Sequence, residues 1–204
     1  MNPCLIILNC KKHTQRRQQQ LDSWLPKFPY KWYHIIADDN QDQEYIFDEK
    51  NKFICVKCPD DYVSLPKKTY LAIKAVRETF PEITHILKTD DNMNCKFDKF
   101  EEMLVKIKNY DYGGHIFTHL FEKYSTWHYR NVPNEYKVPQ KVLNCCYCSG
   151  KFYFLSTKAA DFVLQNKEEF WTYIYEDNIV GYVVGKSNEF KYYNFSEKYI
   201  FEDF

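Results

Sequence analysis

Two adjacent carboxylates close an apolar run in the segment Ile86-Leu87-Lys88-Thr89-Asp90-Asp91-Asn92. Neighbouring acids raise each other's pKa unless a cation neutralises them. A hard divalent ion with oxygen ligands does this, and it can bridge to a diphosphate at the same time. The same residues also suit a solvated acidic turn, where Asp and Asn serve the turn geometry. From this segment alone both readings stand.

Three further segments carry chemistry. In Tyr173-Ile174-Tyr175-Glu176-Asp177-Asn178-Ile179-Val180-Gly181 two acids precede an apolar run. They suit a helix N-terminus through the dipole, or a carboxylate placed to take a proton from an attacking hydroxyl. Residues 147–156 alternate aromatics as a strand does, Gly150 marks a close backbone approach, and Ser156 is placed to cap a helix over residues 157–165. Asp60-Asp61-Tyr62-Val63-Ser64-Leu65-Pro66-Lys67-Lys68-Thr69 brings two lysines to a helix start. Cations there oppose the helix dipole, which points to other work for Lys68, although a solvated lysine accounts for it as well. Cys55 and Cys58 with Cys145, Cys146 and Cys148 form a competing zinc set. Buried cysteine is equally ordinary in a core. His115 and His119 share a spacing that has meaning only on a helix, and they fall in a strand-to-loop region.

These residues need elements to hold them. Residues 4–8, 32–36, 53–56 and 83–87 are short apolar runs that predict strands, the second ended by Ala37-Asp38-Asp39-Asn40. Residues 14–24 predict a polar helix with Thr14 as N-cap. Residues 70–80 predict a helix with Leu71, Ile73, Ala75, Val76 and Phe80 on its apolar positions and Pro81 as its stop, and residues 97–107 predict an amphipathic helix. The order β-α-β-β-α-β-α predicts an α/β fold with a mostly parallel central sheet flanked by helices. Ligands in such sheets sit beyond the carboxyl ends of the strands. That rule selects Asn9 to His13, Asp38-Asp39 and Thr89 to Asn92. With five Gly, eight Pro and no low-complexity tract, no stretch reads as a linker, so one domain over 1–204 is expected.

Composition excludes classes of partner. Lys plus Arg equals Asp plus Glu at 28 each, which argues against a protein that coats nucleic acid or an anionic membrane. Aromatic residues reach 19%. Aromatic planes suit sugar C–H faces, and they equally fill cores. The N-terminus lacks a charged region before its apolar run, and no run is long enough to span a bilayer. A cytoplasmic location with free thiols is the expectation.

Taken in order, the motifs resemble the β-1,3-galactosyltransferase and Fringe relatives of glycosyltransferase family 31. Arg16, Arg17 and Trp24 match its Arg-rich segment ending in Trp. Asp60, Tyr62, Leu65 and Lys68 match an Asp-x-Tyr-x-x-Leu-x-x-Lys stretch. Lys88-Thr89-Asp90-Asp91-Asn92 resembles Lys-x-Asp-Asp-Asp, Tyr147 to Gly150 match Tyr-Cys-Ser-Gly, and Glu176-Asp177-Asn178 resembles Glu-Asp-Val. The resemblance spans about residues 4–185. It implies a GT-A (Rossmann-like) fold and an inverting transfer of a galactose or N-acetylglucosamine type sugar from a UDP-sugar to a glycan hydroxyl. Asp177 would be the base. Asp90 and Asp91 would lie at the donor, with Arg16 and Lys68 as phosphate or nucleotide contacts. Asp91 and Asn92 would ligate Mn²⁺ or Mg²⁺.

The departures are specific. Asn92 replaces the third Asp, Lys151 and Phe152 replace glycines, no His lies beyond His128 to complete a metal site, and the membrane anchor of animal members has no counterpart. They keep two rivals open: a nucleotide-sugar or glycan-binding protein without turnover, and a metal-dependent phosphohydrolase.

Overall fold

A computed structural model describes all residues, 1–204. In chain order the elements are β1 (Pro3–Leu8), α1 (Thr14–Ser23), β2 (Lys31–Ala37), β3 (Tyr45–Asp48), β4 (Phe53–Val56), α2 (Leu65–Thr79), β5 (His85–Asp90), β6 (Met93–Cys95) and α3 (Phe97–Ile107). They continue with β7 (Tyr112–Thr118), β8 (Lys123–Ser125), β9 (Gln140–Val142), β10 (Cys146–Ser156), α4 (Thr157–Leu164), α5 (Lys167–Thr172), α6 (Glu176–Val184), β11 (Tyr192–Asn194) and β12 (Phe201–Asp203).

Eight strands form one sheet in the order β11-β7-β10-β5-β1-β2-β4-β3. Six run the same way, and only β10 and β3 oppose them. The central strands are apolar throughout because both faces are covered. Along β1, Cys4, Ile6 and Leu8 join the core that holds α2, α4, α5 and α6. Leu5 and Ile7 join the opposite core, with Trp24 after α1 and Phe100 and Leu104 of α3. β10 divides likewise, with Tyr153 and Leu155 on one side and Phe152 and Phe154 on the other. Most of the aromatic excess is therefore core filling.

Several expected boundaries shift, each for a local reason. α2 begins at Leu65 and not at residue 70, because Pro66 sits in the first turn, where it has no helical hydrogen bond to lose. The strand expected over 83–87 runs from His85 to Asp90. Its polar residues stay in the strand because Lys88, Thr89 and Asp90 pair with Ile6, Ile7 and Leu8 of β1. Thr14 is the first helical residue of α1, not its cap, and His13 in the cap position makes no side-chain cap. Ser156 caps α4 as expected, accepting a hydrogen bond from the Ala159 N–H at 3.2 Å.

Candidate active site

A cavity of about 1010 Å³ opens at the carboxyl ends of β1 and β5. It gathers Arg16, Lys68, Asp90, Asp91, Asn92 and Asp177, the residues selected by motif, from four separate stretches of the chain. Two features carry the later motifs into it. The pairing of β10 with β7 shifts register between Cys148 and Tyr153, and the displaced Ser149, Gly150 and Lys151 line the cavity. Gly181 lets α6 press against β10: a Cβ there would lie 2.3 Å from the Tyr147 Cβ and 2.6 Å from the Cys146 carbonyl oxygen. The close approach sets the first turn of α6, with Glu176 and Asp177, at the cavity wall.

Beneath this wall lies Lys88, 1% exposed. A buried ammonium must be paired. Lys88 Nζ donates to Asp90 Oδ1 at 2.7 Å and to the Gly150 carbonyl, and lies 3.4 Å from Glu176 Oε2. The Tyr153 hydroxyl donates to the other Glu176 oxygen. Burial alone would lower the Lys88 pKa, but Asp90 and Glu176 hold it above its usual value. One lysine thus ties the end of β5, the β10 bulge and the start of α6 together. Lys88 and Tyr153 carry no assigned role in the sequence analysis, and Glu176 stands there only as the second acid beside Asp177. The signal for Lys88 was present, since a lysine inside a strand apolar on both faces requires acids nearby.

The acidic turn after β5 is closed on itself. His13 Nδ1 lies 2.8 Å from Asp91 Oδ2, and Arg16 Nη1 donates to Asp91 Oδ1 at 3.1 Å. Asn92 Nδ2 donates to Asp203 Oδ1 at 3.1 Å. Lys68 is similarly engaged: its Nζ donates to Asp60 Oδ1 at 2.5 Å and to the Asn9 carbonyl at 2.9 Å, bracing the end of β1 against the loop before α2. Of its three N–H donors, one remains for a ligand.

The divalent ion implied by the family resemblance does not fit this donor set. Both Asp91 oxygens and one Asp90 oxygen are already engaged by side chains of the chain, His13 and Arg16 for Asp91 and Lys88 for Asp90. No group of three or more His, Cys, Asp or Glu side chains is arranged to hold a metal. Asp91, expected as a metal ligand, is bound here by the Arg16 guanidinium and His13, and Asn92 by Asp203. The competing zinc reading finds no ligand cluster either, and all eight cysteines are unbonded.

Asp177 differs from the other acids. Its Oδ1 accepts the Asn178 N–H at 2.8 Å, and no cation contacts it. It keeps one face to the cavity while protein surrounds the rest. Burial, reinforced by Glu176 and partly offset by Lys88, pushes its pKa up to about 7. Burial, with the nearby Asp177 as a smaller cause, raises the pKa of the Tyr62 and Tyr147 phenols, the latter to about 12. Tyr147 also stacks with His119 and packs near Phe117, giving the rim an aromatic surface.

Comparison with known proteins agrees with this architecture. A family model described as galactosyltransferase matches residues 23–194. Among solved structures, the chain is similar to a glycosyltransferase involved in the glycosylation of the major capsid of PBCV-1. The TM-score is 0.52 at 13% identity, covering 97% of this chain and 82% of that one. It is also similar to a 4-diphosphocytidyl-2C-methyl-D-erythritol synthase from Anaerococcus prevotii, with TM-score 0.55 and 10% identity over 96% of this chain and 88% of that one. At such identities the likeness shows a shared fold. No curated protein matches the chain by sequence. No helix is long and apolar enough to cross a membrane.

Proposed function

The chain belongs to the galactosyltransferase family, and from that membership we propose that it transfers a hexose, of galactose or N-acetylglucosamine type, from a UDP-sugar to a hydroxyl of a glycan acceptor, with inversion at the anomeric carbon. The observation that carries this reading is the position of Asp177. It is a carboxylate without a cationic partner, and it faces the same cavity as Arg16 and the acidic turn.

In the productive complex Asp177 lies about 3 Å from the acceptor hydroxyl and takes its proton. The acceptor oxygen forms the new bond to the anomeric carbon. The bond from that carbon to the β-phosphate oxygen breaks on the opposite face, and the nucleoside diphosphate leaves with the electron pair. A base with pKa near 7 is well matched to this step, because it is substantially ionised at neutral pH and still basic enough to accept a proton. Charge on the leaving diphosphate falls to the cationic side of the cavity, where Arg16 stands. The rim formed by Phe117 and Tyr147 offers the sugar of the acceptor an aromatic face.

The test is an incubation of the purified protein with a panel of UDP-sugars and glycan acceptors, read by mass spectrometry of the acceptor. The expected outcome is one hexose or N-acetylhexosamine added, with UDP released only when acceptor is present. Release of phosphate without acceptor would favour a phosphohydrolase. Saturable UDP-sugar binding with no product from any acceptor would favour the binding protein without turnover.

A further inference from the structure

Asp91, the carboxylate expected to hold a metal, is engaged by Arg16. Arg16 enters from the first turn of α1 and is half-exposed, with its side chain 49% accessible, while Asp91 is 7% accessible. One guanidinium N–H is spent on Asp91. A guanidinium carries five N–H donors in a rigid fork, so four remain, in a geometry that matches phosphate oxygens. The buried carboxylate therefore orients a cation whose outer edge faces the cavity. Lys12, Arg130 and Lys198 line the same cavity, and none forms an ion pair with a carboxylate. A divalent ion brought to this turn would meet the opposite situation. It would find single free oxygens on Asp90 and Asn92, and it would approach Arg16, His13 and Lys88, which already occupy the other oxygens.

We propose that the donor diphosphate is neutralised by the chain's own cations, with Arg16 as the phosphate-binding residue, Lys12 beside it, and Asp91 as the positioning residue that aims Arg16, and that no divalent ion takes part in donor binding. The inference rests on the UDP-sugar reading above. It assigns to Asp91 a role through Arg16 and not through a metal.

The test is isothermal titration of UDP into the full chain, once with EDTA and once with Mn²⁺. The dissociation constant is expected to agree between the two within about threefold. Arg16→Gln should weaken UDP binding by ~10²-fold, the scale of charge-assisted hydrogen bonds to one group, and Arg16→Lys should recover part of it. Asp91→Asn should weaken binding about tenfold in the parent but have little effect in the Arg16→Gln background, because a residue that acts only by aiming Arg16 has nothing left to aim. A purely structural Asp91 would weaken binding equally in both backgrounds, which would overturn its positioning role. Thermal melting of each variant confirms folding. Should Arg16→Gln melt early, Arg16→Lys, which keeps a cation for Asp91, carries the comparison. UDP binding that disappears in EDTA and returns with Mn²⁺ would overturn this inference while leaving the proposed transfer reaction intact. Absence of UDP binding under both conditions would overturn the UDP donor and the inference together.

Discussion

At the end of β5, Asp90 and Asp91 each face a cation supplied by the chain, Lys88 for the first and Arg16 for the second. At the start of α6, in the same cavity, Asp177 has no cation in contact, and its neighbour Glu176 is the one that faces Lys88. The two acidic regions therefore differ in what holds them. The paired carboxylates are held by ion pairs and serve to fix geometry. The unpaired one has its charge opposed by burial and by Glu176, so its affinity for a proton rises to the range where a base operates. Within one cleft, pairing separates the acids that position from the acid that can exchange a proton.

The strongest way to break this contrast is to remove the cation that both regions share. Lys88→Met leaves Asp90 and the buried Glu176 without their counter-charge. Losing one partner of a buried ionic network costs about 3–5 kcal/mol, to be measured by urea unfolding. Adding Glu176→Gln should restore part of that loss, since the stranded charge is gone. A Lys88→Met protein as stable as its parent would show that the network does not hold the two regions together.

The second test concerns the unpaired acid alone and has a definite sign. The native Asp177 keeps its proton up to about pH 7, whereas an unfolded aspartate loses it near pH 4. Between those values the native state binds more protons than the unfolded state, so stability falls as pH rises through the window. Asp177→Asn removes that dependence. The variant should gain on its parent between about pH 4 and about pH 7, by on the order of 4 kcal/mol at most. Denaturant unfolding at both ends of the window checks this, and parallel pH curves for the two proteins would remove the claim that burial opposes the charge.

Much of this was legible in the sequence because the informative residues lie at strand ends. The apolar runs of β1, β2, β4 and β5 located the ligand-bearing edge of the sheet, and the motifs in order located Asp90, Asp91 and Asp177. The partners of those acids were not legible. Arg16 and His13 meet Asp91 across 75 and 78 positions, and Lys88 meets Gly150 across 62, so only the folded sheet brings them together. The short strands β6, β11 and β12 were also missed, because three-residue pairings at the sheet margin and in the small β6–β12 pair leave no periodic pattern to detect. β7 carried its own disguise: Gly113 and Gly114 sit in a strand where propensity argues against them.

The most direct test of the contrast between paired and unpaired acids is the pH dependence of sugar transfer by the parent and by Asp177→Asn, at saturating donor, from about pH 5 to about pH 9. The parent rate should rise roughly tenfold per pH unit on the acid side and level off above about pH 7, as Asp177 loses its proton. The variant should bind donor as the parent does, transfer at least ~10²-fold more slowly, and lack that acid limb. A variant that transfers at the parental rate, or a parent whose rate does not change across the range, would contradict Asp177 as the base.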